Sequence, residues 1–489
     1  MRVSLPITYV PSPLPTIVNR WNRLSSSQIM ASIVSSGSMS SPLTRQQDGS
    51  SLAGWLSFGP NALITYRSPP VGVGTAGCGY GTMPSTDETG ERMSSTAESQ
   101  DFLGPEASLV PRGFLGLTRN LGLKDVGDDF TAIVSEVPAT SAAVFTRSRF
   151  AGPSVELSRQ SAATGRLRGM VVLSRNANVA TGKVGAENAA EIQRRVAEVA
   201  GITAGELLIG STGVIGRPYP MAQIRRGLDE LSWPFPAADF DASARAIMTT
   251  DTRHKVVRLR CGDAVIVGIA KGVGMIEPNM ATLLTFFFTD ARVGREDLDE
   301  IFRRVVDRTF NALSIDTDTS TSDTAAVFAN GVAGPVDLRE FEQTLHRAAL
   351  HLVRDIASDG EGASKLIEVR VSGARDDAQA KLVGKSVVNS PLVKTAVHGA
   401  DPNWGRVAMA IGKLEDETDI DPDRVTIRFG DLLMFPESSA DDLLDRAAEY
   451  MRGKEVTIDI NLGIAAGTFT VYGCDLTDGY IRINADYTT

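Results

Sequence analysis

The chain predicts an α/β fold in which sheets are layered between helices. Three observations carry that expectation. From Gly113 onward, stretches with the 3.6-residue apolar period of an amphipathic helix alternate in blocks with short β-branched and aromatic runs of strand character. With 489 residues and 42% hydrophobic content, the chain can bury sizeable cores. No internal repeat divides it.

Residues 1 to about 100 stand apart, being rich in Ser, Pro and Gly, without useful periodicity and without an acidic residue before Asp48. A low-complexity, disordered extension over 1–110 is expected. The string from Gly72 to Gly77 matches a dinucleotide fingerprint, but it follows Pro69-Pro70 rather than a strand and opens no helix, so that mechanism is set aside. An organelle transit peptide is one reading of this segment. The preferred one starts translation at Met93, because codons for Gly90-Glu91 can spell a purine-rich ribosome-binding site.

The ordered part then reads in sequence. Phe130 to Val137 and Ala143 to Phe145 predict strands, and Asn188 to Ala200 predicts a helix, with Ile192, Val196 and Val199 on one face and Gly201 after its end. Leu207 to Gly210 predicts a strand that delivers a Ser-Thr-Gly turn. Glu296 to Leu313 and Asp337 to Ile356 predict long amphipathic helices. Strands are expected at Leu366 to Val371, Val425 to Phe429, Val456 to Asn461 and Thr468 to Gly473.

Composition excludes several classes of function. A net charge of −10 without a lysine or arginine cluster lacks the electrostatic footprint of a nucleic-acid binder. Cys78, Cys261 and Cys474 form no CxxC pair and no metal-ligand spacing, which suits a reducing cytoplasm and predicts no metal. No apolar run reaches the 18 to 20 residues of a membrane helix, so a soluble protein is expected.

The chemistry is concentrated in Lys271-Gly-Val-Gly-Met-Ile-Glu-Pro-Asn-Met-Ala281-Thr282, which leads into the apolar run from Leu283 to Asp290. A glycine-rich turn and a proline there place a threonine hydroxyl at a loop-to-strand junction. If the turn twists the preceding peptide, that hydroxyl can attack its own carbonyl, and hydrolysis of the ester cuts the chain. The freed α-amine, with an ordinary pKa of about 7.7 to 8.0, can then serve as base for its own Oγ. The plainer reading makes Thr282 the first residue of a buried strand.

This stretch closely resembles the cleavage and nucleophile segment of the ornithine acetyltransferase (glutamate N-acetyltransferase) family. Further stretches resemble family signatures and occur in order: Ser211-Thr-Gly-Val-Ile-Gly216, Asp316-Thr-Asp-Thr-Ser-Thr321, Asn389-Ser-Pro-Leu-Val-Lys-Thr395, Gly399-Ala-Asp-Pro-Asn-Trp-Gly-Arg406 and Asn484-Ala-Asp-Tyr-Thr-Thr489. The resemblance covers roughly 111 to 489. It implies the ornithine-acetyltransferase type of α/β sandwich, with the self-cleaving logic of N-terminal nucleophile enzymes. It also implies a cut between Ala281 and Thr282 that yields an α chain of 111–281 and a β chain of 282–489.

The resemblance assigns roles residue by residue. Thr282 is the nucleophile, Thr212 and Gly213 form the oxyanion hole, and Thr249, Lys271, Glu361, Asn484 and Thr489 join Thr282 in lining the substrate pocket. N²-acetylornithine carries a carboxylate and a distal ammonium, and Lys271 and Glu361 have charges to match. L-glutamate is the implied acceptor, no cofactor is implied, and acetyl-CoA stays open as a second donor. Assembly of αβ pairs into α2β2 or larger is implied as well.

Asp316-Thr-Asp-Thr-Ser320 is not a calcium loop, since Thr321 and Val327 stand where glycine and glutamate are needed. A buried polar turn buttressing the site is expected instead. Arg175 stands where the family usually has a small, glycine-like residue and Thr317 where it usually has glycine, a departure that resembles paralogues beside secondary-metabolite genes, including β-lactam pathways. An autoprocessed aminopeptidase and a self-cleaved binding protein remain as alternative readings.

Overall fold

The computed structural model describes residues 109–277, 283–436 and 441–486. The expectations for residues 1 to 108 and the residues Ala281, Thr282 and Thr489 lie outside that set. The described residues carry three sheets.

In chain order the strands are β1 Phe114–Arg119, β2 Phe130–Ser135, β3 Thr140–Phe145, β4 Gly169–Leu173, β5 Leu207–Ser211, β6 Lys255–Cys261, β7 Ala264–Lys271, β8 Leu284–Arg292, β9 Thr324–Pro335, β10 Leu366–Ala374, β11 Thr426–Phe429, β12 Leu432–Phe435, β13 Glu455–Asn461 and β14 Gly467–Cys474. One sheet has the order β1-β2-β4-β5, a second β3-β9-β8-β7-β6 and a third β12-β11-β13-β10-β14.

Alternation along β8 shows how the first two sheets stack. Phe286 and Phe288 pack toward β2, β4 and β5 through Ile133, Met170, Val172 and Leu208, while Phe287, between them, joins the opposite core around Phe302, Leu352 and Ile356. Both faces of this sheet are therefore buried, which is why the run Leu283 to Phe288 is apolar except for the buried Thr285. Replacing one such phenylalanine with alanine would cost about 3–5 kcal/mol. The outer face of β2, β4 and β5 receives the helices Gly182–Val199 and Met221–Asp229 through Ile192, Val196 and Ile224. The other side of the second sheet is covered by the helices Arg295–Arg308 and Leu338–Ser358. The result is a helix–sheet–sheet–helix sandwich, the layered α/β class that the sequence predicts.

The structure also adjusts the sequence-derived boundaries. The helix expected over Glu296 to Leu313 ends at Arg308, and a single 3-10 turn follows at Phe310–Ala312. Thr309, at φ −123° and ψ −84°, breaks it there, with its Oγ1 donating back to the Val305 carbonyl at 2.6 Å. Asp337 lies outside the second long helix as its N-cap, accepting from the Glu340 N–H at 2.8 Å. Among the described residues, no helix is long and apolar enough to cross a membrane.

The expected cut at 281/282 does not fall between sheets. β3, β6 and β7 precede it, β8 and β9 follow it, and all five share the second sheet.

Candidate active site

Strand β7 ends at Lys271 and runs into the glycine-rich turn, whose backbone amides need acceptors outside any sheet. Asp316 supplies them: its two carboxylate oxygens accept from the N–H groups of Met275 at 2.6 Å and Ile276 at 2.7 Å. The neighbouring backbone completes the clamp, Glu277 N–H donating to the Asp318 carbonyl at 2.8 Å and Ile315 N–H to the Ile276 carbonyl at 2.7 Å. The acidic loop thus buttresses the turn. It is half-exposed to exposed over 316–319, however, rather than the buried turn that the sequence suggests. Asp316 can sit at the rim because it needs only to face two amides.

The Ser-Thr-Gly turn leaves β5 beside a second loop, 174–180. Thr212 N–H donates to the Leu173 carbonyl and Val214 N–H to the Arg175 carbonyl, both at 3.1 Å. Between these anchored amides, the Gly213 N–H has no acceptor among the described residues. Gly213 has φ +126°, and an added Cβ there would collide with the Arg175 backbone, so only glycine fits.

Lys271 joins the two turns by donating from Nζ to Thr212 Oγ1 at 3.2 Å. Burial pushes the Lys271 ammonium down from its ordinary range, Asp251, Asp323 and Glu361 counter that shift, and Lys255 adds to it.

Glu361 follows the C-terminus of the helix Leu338–Ser358, and its N–H donates to the Val273 carbonyl at 2.8 Å. Its Oε2 accepts from Asn484 Nδ2 at 2.9 Å, which joins two of the residues singled out in the sequence across 123 positions. Its Oε1 accepts from Thr250 Oγ1 at 3.0 Å, so the hydroxyl that reaches this carboxylate belongs to Thr250 and not to Thr249. Thr249 is held by its backbone, its N–H donating to Asp251 Oδ2 at 3.1 Å. Tyr480, one turn before Asn484, donates from Oη to Asp316 Oδ2 at 3.5 Å and thereby ties the last helix, Asp478–Asp486, to the acidic loop.

Sequence reasoning missed several groups here. Asp323 is 1% exposed, its Oδ2 meets no hydrogen-bond partner among the described residues, and burial raises its carboxyl well above the ordinary range. It sits where β9 begins alongside β8, with Thr324 N–H donating to the Leu283 carbonyl at 2.9 Å. Glu277 accepts from Asn389 Nδ2 at 2.8 Å and Ser314 Oγ at 3.3 Å. That contact accounts for the asparagine of the Asn389-Ser-Pro stretch, while Ser390 caps the helix Pro391–Gly399. Asn403 caps the helix Trp404–Gly412, so Gly399 to Arg406 serves the scaffold. The Asn389 and Gly399 stretches were singled out in the sequence without these contacts, and neither Asp323 nor Glu277 carried a signal.

Taken together, Thr212, Gly213, Thr249, Lys271, Glu361 and Asn484 are linked through this network of direct and backbone contacts. A hydroxyl, an unclaimed amide, a buried ammonium and a carboxylate meet beside the Gly-rich turn. Such a set can bind a zwitterionic substrate and stabilise an oxyanion.

The chain is similar to known proteins along most of its length. The ArgJ family model matches residues 117–489. Glutamate N-acetyltransferase Oat2 of Streptomyces clavuligerus is 66% identical over 386 residues, which is 78% of this chain and 98% of that protein. The arginine biosynthesis bifunctional protein ArgJ of Rhodococcoides fascians is 56% identical over 400 residues, covering 81% of this chain and 99% of the relative. A crystal structure of the arginine biosynthesis bifunctional protein argJ from Bacillus halodurans matches at 38% identity and a TM-score of 0.38, covering 40% of this chain and 96% of that one.

Proposed function

The chain belongs to the ArgJ family, and on that premise we propose that it moves an acetyl group from N²-acetylornithine to L-glutamate through an acetyl-Thr282 intermediate. Thr282 Oγ first attacks the Ala281 carbonyl, the scissile nitrogen becomes the free α-amine of Thr282, and water hydrolyses the ester. The amine then takes the Oγ proton as Oγ attacks the acetyl carbonyl of the donor. Ornithine leaves with that proton on its α-nitrogen, and the α-amine of glutamate attacks the ester to release N-acetylglutamate and restore the hydroxyl.

One observation carries this reading. Lys271 donates to Thr212 Oγ1, so the hydroxyl hydrogen of Thr212 is directed elsewhere, beside the unclaimed Gly213 N–H. These are two donors for one developing oxyanion, made stronger by the cation behind them. Lys271 keeps two further N–H groups for the substrate carboxylate, and Glu361, Asn484 and Thr249 are assigned to the rest of the ornithine chain, with Thr489 closing the pocket.

No cofactor enters this scheme. Acetyl-CoA is a further donor to test, and α2β2 or larger assembly of the cleaved pairs in the cytoplasm completes the proposal. A place beside secondary metabolism in place of the primary arginine route would use the same chemistry.

The test is direct. Denaturing electrophoresis should show two fragments, the C-terminal one beginning Thr-Leu-Leu-Thr, and intact mass with acetylornithine should show one acetyl group on it. A single intact band from active enzyme would falsify the mechanism. Faster hydrolysis than transfer with glutamate present would favour an aminopeptidase instead.

A further inference from the structure

We propose that Lys255, with Asp251 and Asp359, is a positioning centre that sets the spacing and charge of the substrate pocket. This rests on the assignment of Thr249, Lys271 and Glu361 to substrate binding. Lys255 opens β6, and its side chain is fully buried. Its Nζ donates to Asp251 Oδ1 at 2.8 Å, to Asp359 Oδ2 at 2.6 Å and to the Arg253 carbonyl at 3.5 Å, so all three N–H groups are occupied.

Each carboxylate holds a different wall of the pocket. Asp251 Oδ1 also accepts from Gly272 N–H at 2.8 Å, the residue after Lys271, and Asp251 Oδ2 accepts from Thr249 N–H at 3.1 Å. Asp359 lies two residues before Glu361 and takes the Thr252 N–H at 3.2 Å together with the Thr252 hydroxyl. One ammonium therefore ties together the segment around Thr249, the start of the Gly-rich turn and the loop that carries Glu361.

Charge supplies a second, independent indication. One lysine and two carboxylates leave a net negative unit in a buried place, an arrangement that is poor value for stability alone. The neighbouring buried cation is Lys271. Asp251 is the foremost of the charges that hold the Lys271 ammonium up against burial, ahead of Asp323 and Glu361, with Lys255 opposing them. The two lysines in turn keep the Asp251 carboxylate below its ordinary range despite its burial. The centre thus places Lys271, and its Asp251 favours the charged form of that lysine against burial.

Three variants of the full chain test this. Asp251→Asn should raise KM for acetylornithine by between about ten- and a hundred-fold and move the basic limb of the kcat/KM profile to lower pH. Asp359→Asn should raise KM for donors with a distal ammonium more than for other acetyl amino acids, without moving that limb. Competitive labelling of Lys271 against pH, read by mass spectrometry, should show its titration displaced downward in Asp251→Asn only. That readout needs no turnover, so an inactive wild type would sink the substrate assignment and leave this claim tested separately. If both variants alter only melting temperature, and Lys271 titrates as in the wild type, the centre is structural and the proposal is wrong. Should Asp251→Asn fail to fold, Asp251→Ser replaces it, and an unchanged Lys271 titration there overturns the proposal.

Discussion

Lys271 Nζ lies 3.2 Å from Thr212 Oγ1, joining the end of β7 to the turn after β5 across 59 positions. The contact links two stacked sheets at the edge where the Gly-rich turn begins. A buried ammonium donating to a hydroxyl makes that hydroxyl a better donor toward a third group. Thr212 is therefore expected to act on charge that develops during reaction more than on ground-state binding.

Thr212→Val keeps the shape and removes the donor. Transfer by cleaved enzyme should fall about 10²- to 10³-fold, mostly in kcat, while Thr212→Ser should recover part of it. Steady-state kinetics with acetylornithine and glutamate checks this, and an unchanged kcat in the valine variant would remove Thr212 from the oxyanion hole.

Glu361 accepts from Thr250 and Asn484, which leaves its carboxylate oriented but not paired with a fixed cation by any direct salt bridge described here. Glu361→Gln should reduce kcat/KM for donors bearing a distal ammonium more than for acetylated amino acids that lack one. An equal loss for both donor types would show that this carboxylate does not read the ornithine tail.

Asp323 predicts a pH effect on stability with a definite sign. Its folded carboxyl is raised well above the ordinary value by burial. At pH below about 3.9, the usual aspartate value, both folded and unfolded states are protonated and the group is neutral in the balance. As pH rises past that point the unfolded chain ionises first, so stability is lost progressively up to the folded value. Asp323→Asn should therefore gain in melting temperature relative to wild type as pH increases from about 4. Parallel melting curves against pH, with no divergence between the two proteins, would contradict this.

Residues 1 to 92 precede both the matched family region, which begins at 117, and the composition break. A chain starting at Met93 is expected to cleave and turn over as the full chain does, because the removed stretch offers little apolar periodicity with which to offset about 1–2 kcal/mol of backbone ordering per residue. Fragment analysis and kinetics of the shortened chain decide it. Loss of cleavage would make the extension part of the working protein.

The sequence by itself determined the elements whose signal is local. The apolar period of Arg295–Arg308 and Leu338–Ser358 and the doubly buried run of β8 are each written within a few neighbouring residues. The Lys271 to Thr282 stretch is legible locally as a glycine-rich turn leading into a strand, while a nucleophile at Thr282 is implied by the family resemblance and not by the local pattern. Tertiary structure alone decided which side chains meet: Thr250 rather than Thr249 on Glu361, Asp316 on the turn amides, and Lys255 between Asp251 and Asp359. Thr250 and Glu361 are 111 positions apart and Lys255 and Asp359 are 104 apart. The identity of a polar contact at that range is fixed by how two sheets and their helices stack, a packing outcome that no local propensity encodes.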